Sequence, residues 1–223
     1  MPLSRDQLNI LSEAIREYTF PCVYYDFLND CPSPQPNMRL VEGLIRDDLI
    51  SGDLDLVKNG LSNVLYWGFA QVGYRDQRVT LFRRQITRGQ LHDATQFFCD
   101  IHGDGLREIK RIGLSQFSGM SFISKVRMFL DPNNYVILDQ QILKMNTAPV
   151  TTLLKDIAFG NRETQIRISE NNCRVYLSWC KKCVDISTSY YEGKYRAVDI
   201  ERGFFTLIQK GQVKLAAEIL SKA

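Results

Sequence analysis

Asp139 is the first residue whose type and position could support catalysis. It follows the apolar run Val136-Ile137-Leu138 and precedes an apolar-periodic segment containing Ile142, Leu143 and Met145. Aspartate is a favoured N-cap at such a boundary, because its carboxylate accepts hydrogen bonds from the first backbone N–H groups of a helix. The same N–H groups and the helix dipole keep the carboxylate ionised. It could stabilise a developing positive charge or orient and deprotonate a water molecule. The alternative is that it is only a structural cap.

Lys125 and Ser121 form a second candidate pair. They lie four residues apart, so on a helix Ser121, Lys125 and Met128 share one face, roughly opposite the face led by Phe122 and Val126. A partly desolvated lysine amine can attack an electrophilic carbon and form a Schiff base. The other interpretation is a solvent-facing or phosphate-binding lysine, and the sequence leaves both open. Ser121 without a base is a weak nucleophile, so we expect it at most to orient water or substrate.

These candidates depend on the local elements of residues 112–145. Ser118-Gly119-Met120 predicts a tight, glycine-containing break between two apolar-periodic segments. Phe122 to Leu130 has helical periodicity, and Asp131-Pro132 ends it because proline disfavours the helical conformation in the residue before it. The predicted order is helix, tight hairpin, helix, short crossover and then Asp139 at the start of another helix.

This arrangement resembles the helix-hairpin-helix DNA glycosylases, the superfamily that includes the endonuclease III-type, adenine-mismatch and 8-oxoguanine enzymes. In that family the hairpin binds a DNA phosphate through backbone N–H groups. The resemblance therefore assigns DNA binding to Ser118, Gly119, Met120 and Ser121, with Gly119 as the second hairpin glycine. The essential aspartate of the family corresponds to Asp139.

Two positions depart from the family pattern. The position eighteen residues before Asp139, where the family places its catalytic lysine, is Ser121. Phe117 stands where the first hairpin glycine is expected. The monofunctional adenine-mismatch branch also carries serine at the lysine position. The run from Ser121 to Asp139 is most similar to the 8-oxoguanine branch.

The resemblance implies a DNA glycosylase that flips a damaged or modified base out of double-stranded DNA and cleaves its N-glycosidic bond. Asp139 would assist either a water molecule or Lys125, and attack by Lys125 would add lyase activity. The modified base could be a lesion or a bulky base of phage DNA. Two alternatives stay open: a non-catalytic DNA-binding module that keeps the hairpin, and a helical protein-interaction adaptor.

Three cysteines have a spacing that partly matches an iron–sulfur motif. Cys173, Cys180 and Cys183 give C-x6-C-x2-C, the start of the endonuclease III-type cluster pattern, but the fourth position is Ser189. Four thiolates are the usual requirement, and the segment has the periodicity of one continuous amphipathic helix, which would not wrap a cluster. No zinc-type arrangement of cysteine and histidine pairs is present either. We expect no metal and no cofactor.

Aromatic and basic segments elsewhere have two interpretations each. The aromatic residues of the segment from Phe20 to Leu28 predict buried core or a base-stacking wall. Tyr66, Trp67 and Phe69 predict buried core, with a pocket role for one of them as the alternative. Arginines crowd residues 75–88 and predict either a solvated helix face or a phosphate-contacting face; they are Arg75, Arg78, Arg83, Arg84 and Arg88.

The chain as a whole predicts an all-α fold with two helical subdomains flanking a cleft. The predicted subdomains are residues 1–37 plus 146–223, and residues 38–145 with the hairpin. The chain has 223 residues, 44% of them hydrophobic, and a net charge of +3, which permits a polyanionic partner without requiring one. It has no apolar run long enough for a membrane span and no signal-peptide pattern. We therefore expect a cytoplasmic monomer that does not bind membranes.

Overall fold

A computed structural model describes residues 2–100, 105–160 and 165–223. The fold is mostly helical, as predicted, and contains one small antiparallel sheet that was not predicted. Within the described ranges, no helix combines the length and apolarity needed to cross a membrane. The elements, in chain order, are α1 (Arg5–Arg16), β1 (Val23–Asp26), β2 (Cys31–Pro34), α2 (Met38–Leu49), α3 (Leu54–Gly68), α4 (Arg75–Gln85), α5 (Arg88–Cys99), α6 (Leu106–Ile112), α7 (Met120–Leu130), a first 3-10 helix (Ile142–Thr147), a second 3-10 helix (Leu153–Asp156), α8 (Glu170–Tyr191), α9 (Ala197–Gln209) and α10 (Val213–Lys222).

The chain divides into two compact units. Unit 1 consists of Met1–Thr19 and Asp131–Ala223, and unit 2 is Phe20–Leu130. Both chain ends therefore belong to one unit and the middle to the other, but the boundaries fall at residues 20 and 131 rather than 38 and 146. Long-range hydrogen bonds explain both differences.

Residues 20–37 belong to unit 2 because the β-hairpin is fixed to α3. Asn63 on α3 accepts a hydrogen bond from the Tyr25 N–H at 2.7 Å and donates to the Tyr25 carbonyl at 3.1 Å, as a neighbouring strand would. The partner strand β2 contains two prolines, of which Pro32 pairs with Tyr25 and Pro34 with Val23. Proline is tolerated there because β2 is an edge strand.

Residues 131–145 belong to unit 1 because α8 holds the apolar run before Asp139. The Tyr176 hydroxyl donates to the Val136 carbonyl at 2.9 Å, and the Trp179 indole N–H donates to the Ile137 carbonyl at 3.0 Å. Buried carbonyl groups need such donors, so these bonds fix the run against α8.

The core of unit 1 forms where α1 packs against α9 and α8 packs against α9. Gly203 permits the first approach: a Cβ there would lie 2.8 Å from side-chain atoms of Leu11 and Ile15. Ser4 caps α1 with Gln7 in a reciprocal capping box.

The core of unit 2 is centred on α3, which packs against α2, α4, α5 and α7. Its residues 60–67 are buried almost throughout. The rings of Trp67 and Phe129 meet edge to face at 5.3 Å between centroids. The predicted helical face of Phe122 to Leu130 is thus a core face.

Candidate functional site

The predicted hairpin lies in a connection of residues 113–119 between α6 and α7, here called the α6–α7 connection. α6 ends at Gly113, whose φ of 74° suits glycine at a helix C-terminus. The Phe117 N–H then closes a turn on the Leu114 carbonyl at 3.1 Å, with Gln116 at a φ of 72°. The predicted break covers the last two residues of this connection, Ser118 and Gly119, and Met120, where α7 begins.

The four predicted DNA-binding residues differ in exposure. Ser118 is exposed, Gly119 and Ser121 are half-buried, and Met120 is fully buried. The Met120 side chain therefore packs in the core, and only its backbone could meet a ligand. The first N–H groups of an α-helix have no acceptor within the helix, and in α7 the Ile123 N–H reaches the Gly119 carbonyl at 3.3 Å.

Phe117 anchors the connection at the position where the family resemblance expects glycine. It is 1% exposed, and its ring lies 5.5 Å from that of Phe82 and 6.1 Å from that of Phe122. The neighbouring Gln116 accepts a hydrogen bond from Arg78 at 3.0 Å. Packing and a side-chain hydrogen bond from α4 therefore hold the connection.

Lys125 is buried on α7, with 5% of its surface exposed. Its stem crosses Gly68 of α3, where a Cβ would lie 3.2 Å from Lys125 Cδ and 2.6 Å from Phe122 Cε1. The amine turns back along α7 and donates to the carbonyl and hydroxyl oxygens of Ser121, both at 3.3 Å. The predicted shared face of Ser121 and Lys125 is confirmed, and the amine lies at the first turn of α7.

Asp139 is half-buried and caps the turn that follows it. Its Oδ1 accepts the N–H of Gln141 at 3.0 Å and of Ile142 at 3.3 Å. The predicted cap is present, but the helix after it is a short 3-10 helix and not an α-helix. Pro149 limits its length, because it disfavours the helical conformation at Ala148, whose ψ is 152°.

A cavity of about 690 Å³ in unit 2 is lined both by aromatic residues and by residues of the arginine-rich segment 75–88. Aromatic residues of the β-hairpin and α3 line it, and so do arginines of α4; the lining includes Tyr25, Phe27, Tyr66, Arg75, Arg83 and Arg84. The Arg75 guanidinium lies 3.9 Å from the Tyr66 ring centroid, and that of Arg83 lies 4.0 Å from the Phe27 centroid. Sequence reasoning missed this cavity, although the spacing of Arg75, Val79 and Arg83 places them on one helix face.

The three cysteines of the partial iron–sulfur spacing lie on one continuous helix, α8, and are buried. Burial raises the pKa of the Cys183 thiol well above its usual value. In the described parts of the chain, no group of three or more histidine, cysteine, aspartate or glutamate side chains has a metal-binding arrangement.

Comparisons with protein-family models, curated proteins and solved structures found no match for this chain. What can be inferred about function therefore depends on the geometry of the residues described above.

Proposed function

We propose that this protein is a DNA glycosylase of the helix-hairpin-helix class, acting as a cytoplasmic monomer on double-stranded DNA. The observation that carries the proposal is the position of the Lys125 amine. It reaches Ser121 at the first turn of α7, directly after the connection that would bind phosphate. The cleft expected for this class remains a prediction from the sequence.

The α6–α7 connection would bind a DNA phosphate next to the target nucleotide. Two observations support this role: Ser118 is exposed, and the first turn of α7 begins two residues after it, at Met120. A helix N-terminus favours an anion through its N–H groups and its dipole. The buried Phe117 ring and the hydrogen bond from Arg78 to Gln116 hold the connection in place, so that little ordering is required on binding.

Asp139 would act on the deoxyribose of the flipped nucleotide. As the bond from C1′ to the base nitrogen breaks, positive charge develops on the sugar, and a fixed carboxylate stabilises it. The two N–H groups bonded to Oδ1 fix the orientation of the carboxylate. In the water route, Asp139 accepts a proton as the water oxygen bonds to C1′ and the bond to the base breaks. The departing base takes up a proton from solvent, and Asp139 returns its own proton to solvent.

Lys125 offers a covalent route. Its amine, after losing a proton, would bond to C1′ while the bond to the base breaks and the base takes up a proton. Opening of the sugar ring then gives a Schiff base that borohydride reduces to a stable adduct.

A non-catalytic DNA-binding module is the second candidate. The observation that favours it is Ser121, which occupies the position where the family resemblance places lysine. Such a protein would use the same α6–α7 connection without breaking the glycosidic bond.

Borohydride trapping tests the proposal. The substrates are duplexes carrying an abasic site, 8-oxoguanine, an alkylated base or a bulky modified base. Lys125→Met removes the amine and keeps the buried stem, Asp139→Asn removes the charge and keeps an acceptor, and Lys144→Ala removes an exposed lysine as the matched control. We expect base release that Asp139→Asn abolishes and Lys144→Ala leaves unchanged.

The outcomes separate the candidates. An adduct that Lys125→Met abolishes establishes the covalent route, and base release without an adduct establishes the water route. Salt-dependent duplex binding without release across all substrates overturns the glycosylase proposal in favour of the binding module. Absence of duplex binding leaves only the adaptor.

A further inference from the structure

The cavity in unit 2 contains a row of three rings between two cations. Tyr25 lies in the middle, with ring centroids 4.8 Å from Phe27 and 4.9 Å from Tyr66. Arg75 stacks on Tyr66 at one end and Arg83 stacks on Phe27 at the other. We call these five side chains the aromatic–arginine row.

Hydrogen bonds from outside the row fix its members. Arg83 donates to Asn59 at 2.9 Å and to Ser62 at 3.0 Å, and Tyr25 donates to Asp30 at 2.8 Å. The Asn63 side chain hydrogen-bonds both the N–H and the carbonyl group of Tyr25. The row is therefore pre-organised, which lowers the entropic cost of binding a ligand.

The mouth of the cavity has an excess of positive charge. Arg84 is exposed and makes no hydrogen bond or ion pair with any part of the chain that the structure describes. The two lining carboxylates already have partners, because Asp76 accepts from Arg75 at 2.9 Å and Asp30 accepts from Tyr25. Neither of these carboxylates pairs with Arg83 or Arg84, so the two arginines together can bind an anion.

The cavity volume of about 690 Å³ lies within the usual range for small-molecule sites. Tyr25 and Phe27 are half-buried, so parts of their rings face the cavity. Rings of this kind stack on a planar base, and arginines bind phosphate. We propose that the cavity binds a nucleoside monophosphate unit, with its base against Tyr25 and Phe27 and its phosphate at Arg83 and Arg84.

This site differs from the residues assigned to glycosylase chemistry. None of Ser118, Gly119, Met120, Ser121 or Lys125 lines the cavity. The inference does not depend on the proposed function, and it holds whether or not the protein cleaves DNA. The nucleotide unit has two sources, a free mononucleotide or a nucleotide within a single strand of DNA.

Calorimetric titration with the full chain tests the site at low salt. The probes are dAMP, deoxyadenosine, deoxyribose 5-phosphate and a short oligothymidylate. Arg84→Gln removes an exposed charge at the mouth, Phe27→Ala removes a stacking ring, and Arg88→Gln is the control that removes an exposed arginine outside the lining.

We expect dAMP to bind more tightly than either of its fragments. Arg84→Gln should weaken binding about tenfold by loss of a charge-assisted hydrogen bond, and Phe27→Ala should weaken it about tenfold by loss of stacking. Arg88→Gln should change it less than about twofold, because Arg88 is exposed and does not line the cavity. Unchanged melting temperatures for Arg84→Gln and Arg88→Gln would show that the fold is intact.

Three results would overturn the inference. One is no binding of either dAMP or oligothymidylate at concentrations up to about 5 mM, a range that covers weak sites. Another is an equal loss in Arg84→Gln and Arg88→Gln, which would indicate unspecific charge attraction. The third is binding of deoxyribose 5-phosphate as tight as that of dAMP, which would show that the base contributes nothing to the affinity. If a nucleotide binds, tighter binding of the oligonucleotide identifies a DNA strand as the source, and tighter binding of dAMP identifies the free nucleotide.

Discussion

The amine of Lys125 lies 3.3 Å from the hydroxyl oxygen of Ser121, one turn earlier on α7. The same amine lies 3.3 Å from the Ser121 carbonyl and 5.2 Å from the centroid of the Phe122 ring. Ser121 therefore holds the amine at the N-terminal end of the helix. If Lys125 is the nucleophile, Ser121 is a positioning residue for it.

Ser121→Ala should slow formation of the borohydride-trapped adduct by about tenfold, because it removes a hydrogen bond that positions the amine. Duplex affinity should stay within about twofold, since the backbone N–H groups remain. Ser124→Ala is the control: it removes a neighbouring hydroxyl, which donates to the Ser121 carbonyl at 3.2 Å, and it leaves the Ser121 hydroxyl in place. Single-turnover kinetics and anisotropy titrations measure the two quantities separately. Equal slowing in both variants would contradict the positioning role.

Gly68→Ala should destabilise the protein by about 1–3 kcal/mol, the usual range for overpacking. Its new Cβ would come within 2.6 Å of Phe122 and 3.2 Å of the Lys125 stem. Gly43→Ala is the matched control in a helix, since nothing lies within 4 Å of its Cβ position. It should stabilise the protein by about 0.5–1 kcal/mol through the better helix propensity of alanine. Urea unfolding of both variants makes the comparison, and stabilisation by Gly68→Ala would show that the crossing of α3 and α7 is looser than described.

Phe117→Gly would introduce the residue that the family resemblance expects, and should cost about 3–5 kcal/mol by removing a buried ring. Phe159→Ala should change stability by less than about 0.5 kcal/mol because that ring is 42% exposed. Thermal unfolding compares them. A folded and fully stable Phe117→Gly variant would refute the view that packing by this ring holds the α6–α7 connection.

Asp48 should make stability depend on pH in the acid range. Burial raises its pKa from 3.8 to about 6, although the hydroxyl of Tyr24 donates to it at 2.7 Å. Because the folded pKa is the higher one, the folded protein binds the proton more tightly than the unfolded chain. Protonated Asp48 therefore adds to the free energy of unfolding. This contribution is fully present below pH 3.8 and is lost as the pH rises to about 6.

Asp48→Asn should remove this dependence and raise stability at neutral pH by about 1 kcal/mol, a figure reduced for the partial solvent exposure of the site. Denaturant unfolding between pH 4 and 8 measures it. Asp47→Asn is the control: it removes a nearby charge that raises the pKa of Asp48, so it should keep the dependence with a slightly lower midpoint. A flat profile for the wild-type protein would argue against a raised pKa.

The six cysteines should fall into separate classes of reactivity toward Ellman's reagent. Cys31 and Cys99 are exposed and should react quickly, whereas Cys173, Cys180 and Cys183 are buried and should react only on unfolding. Burial raises the pKa of Cys183 and so suppresses the reactive thiolate further. Mass spectrometry after brief alkylation assigns the sites. Fast labelling of α8 in the native protein would contradict its burial.

The sequence by itself determined the features that depend on neighbours a few residues away. The N-cap at Ser4, the helical face of α7, the contact between Ser121 and Lys125 and the continuity of α8 all follow from contacts between residues three or four positions apart. Such contacts are encoded locally. The cap at Asp139 belongs to the same group, since its partners are two and three residues away.

Only the tertiary structure decided the rest. The β-hairpin depends on Asn63, which lies 38 residues from Tyr25, and the run before Asp139 depends on Tyr176, which lies 40 residues from Val136. These partners set the unit boundaries, and packing places the aromatic rings beside the arginines of α4. Burial and hydrogen bonding select among many distant partners at once, and no short stretch of sequence specifies that choice.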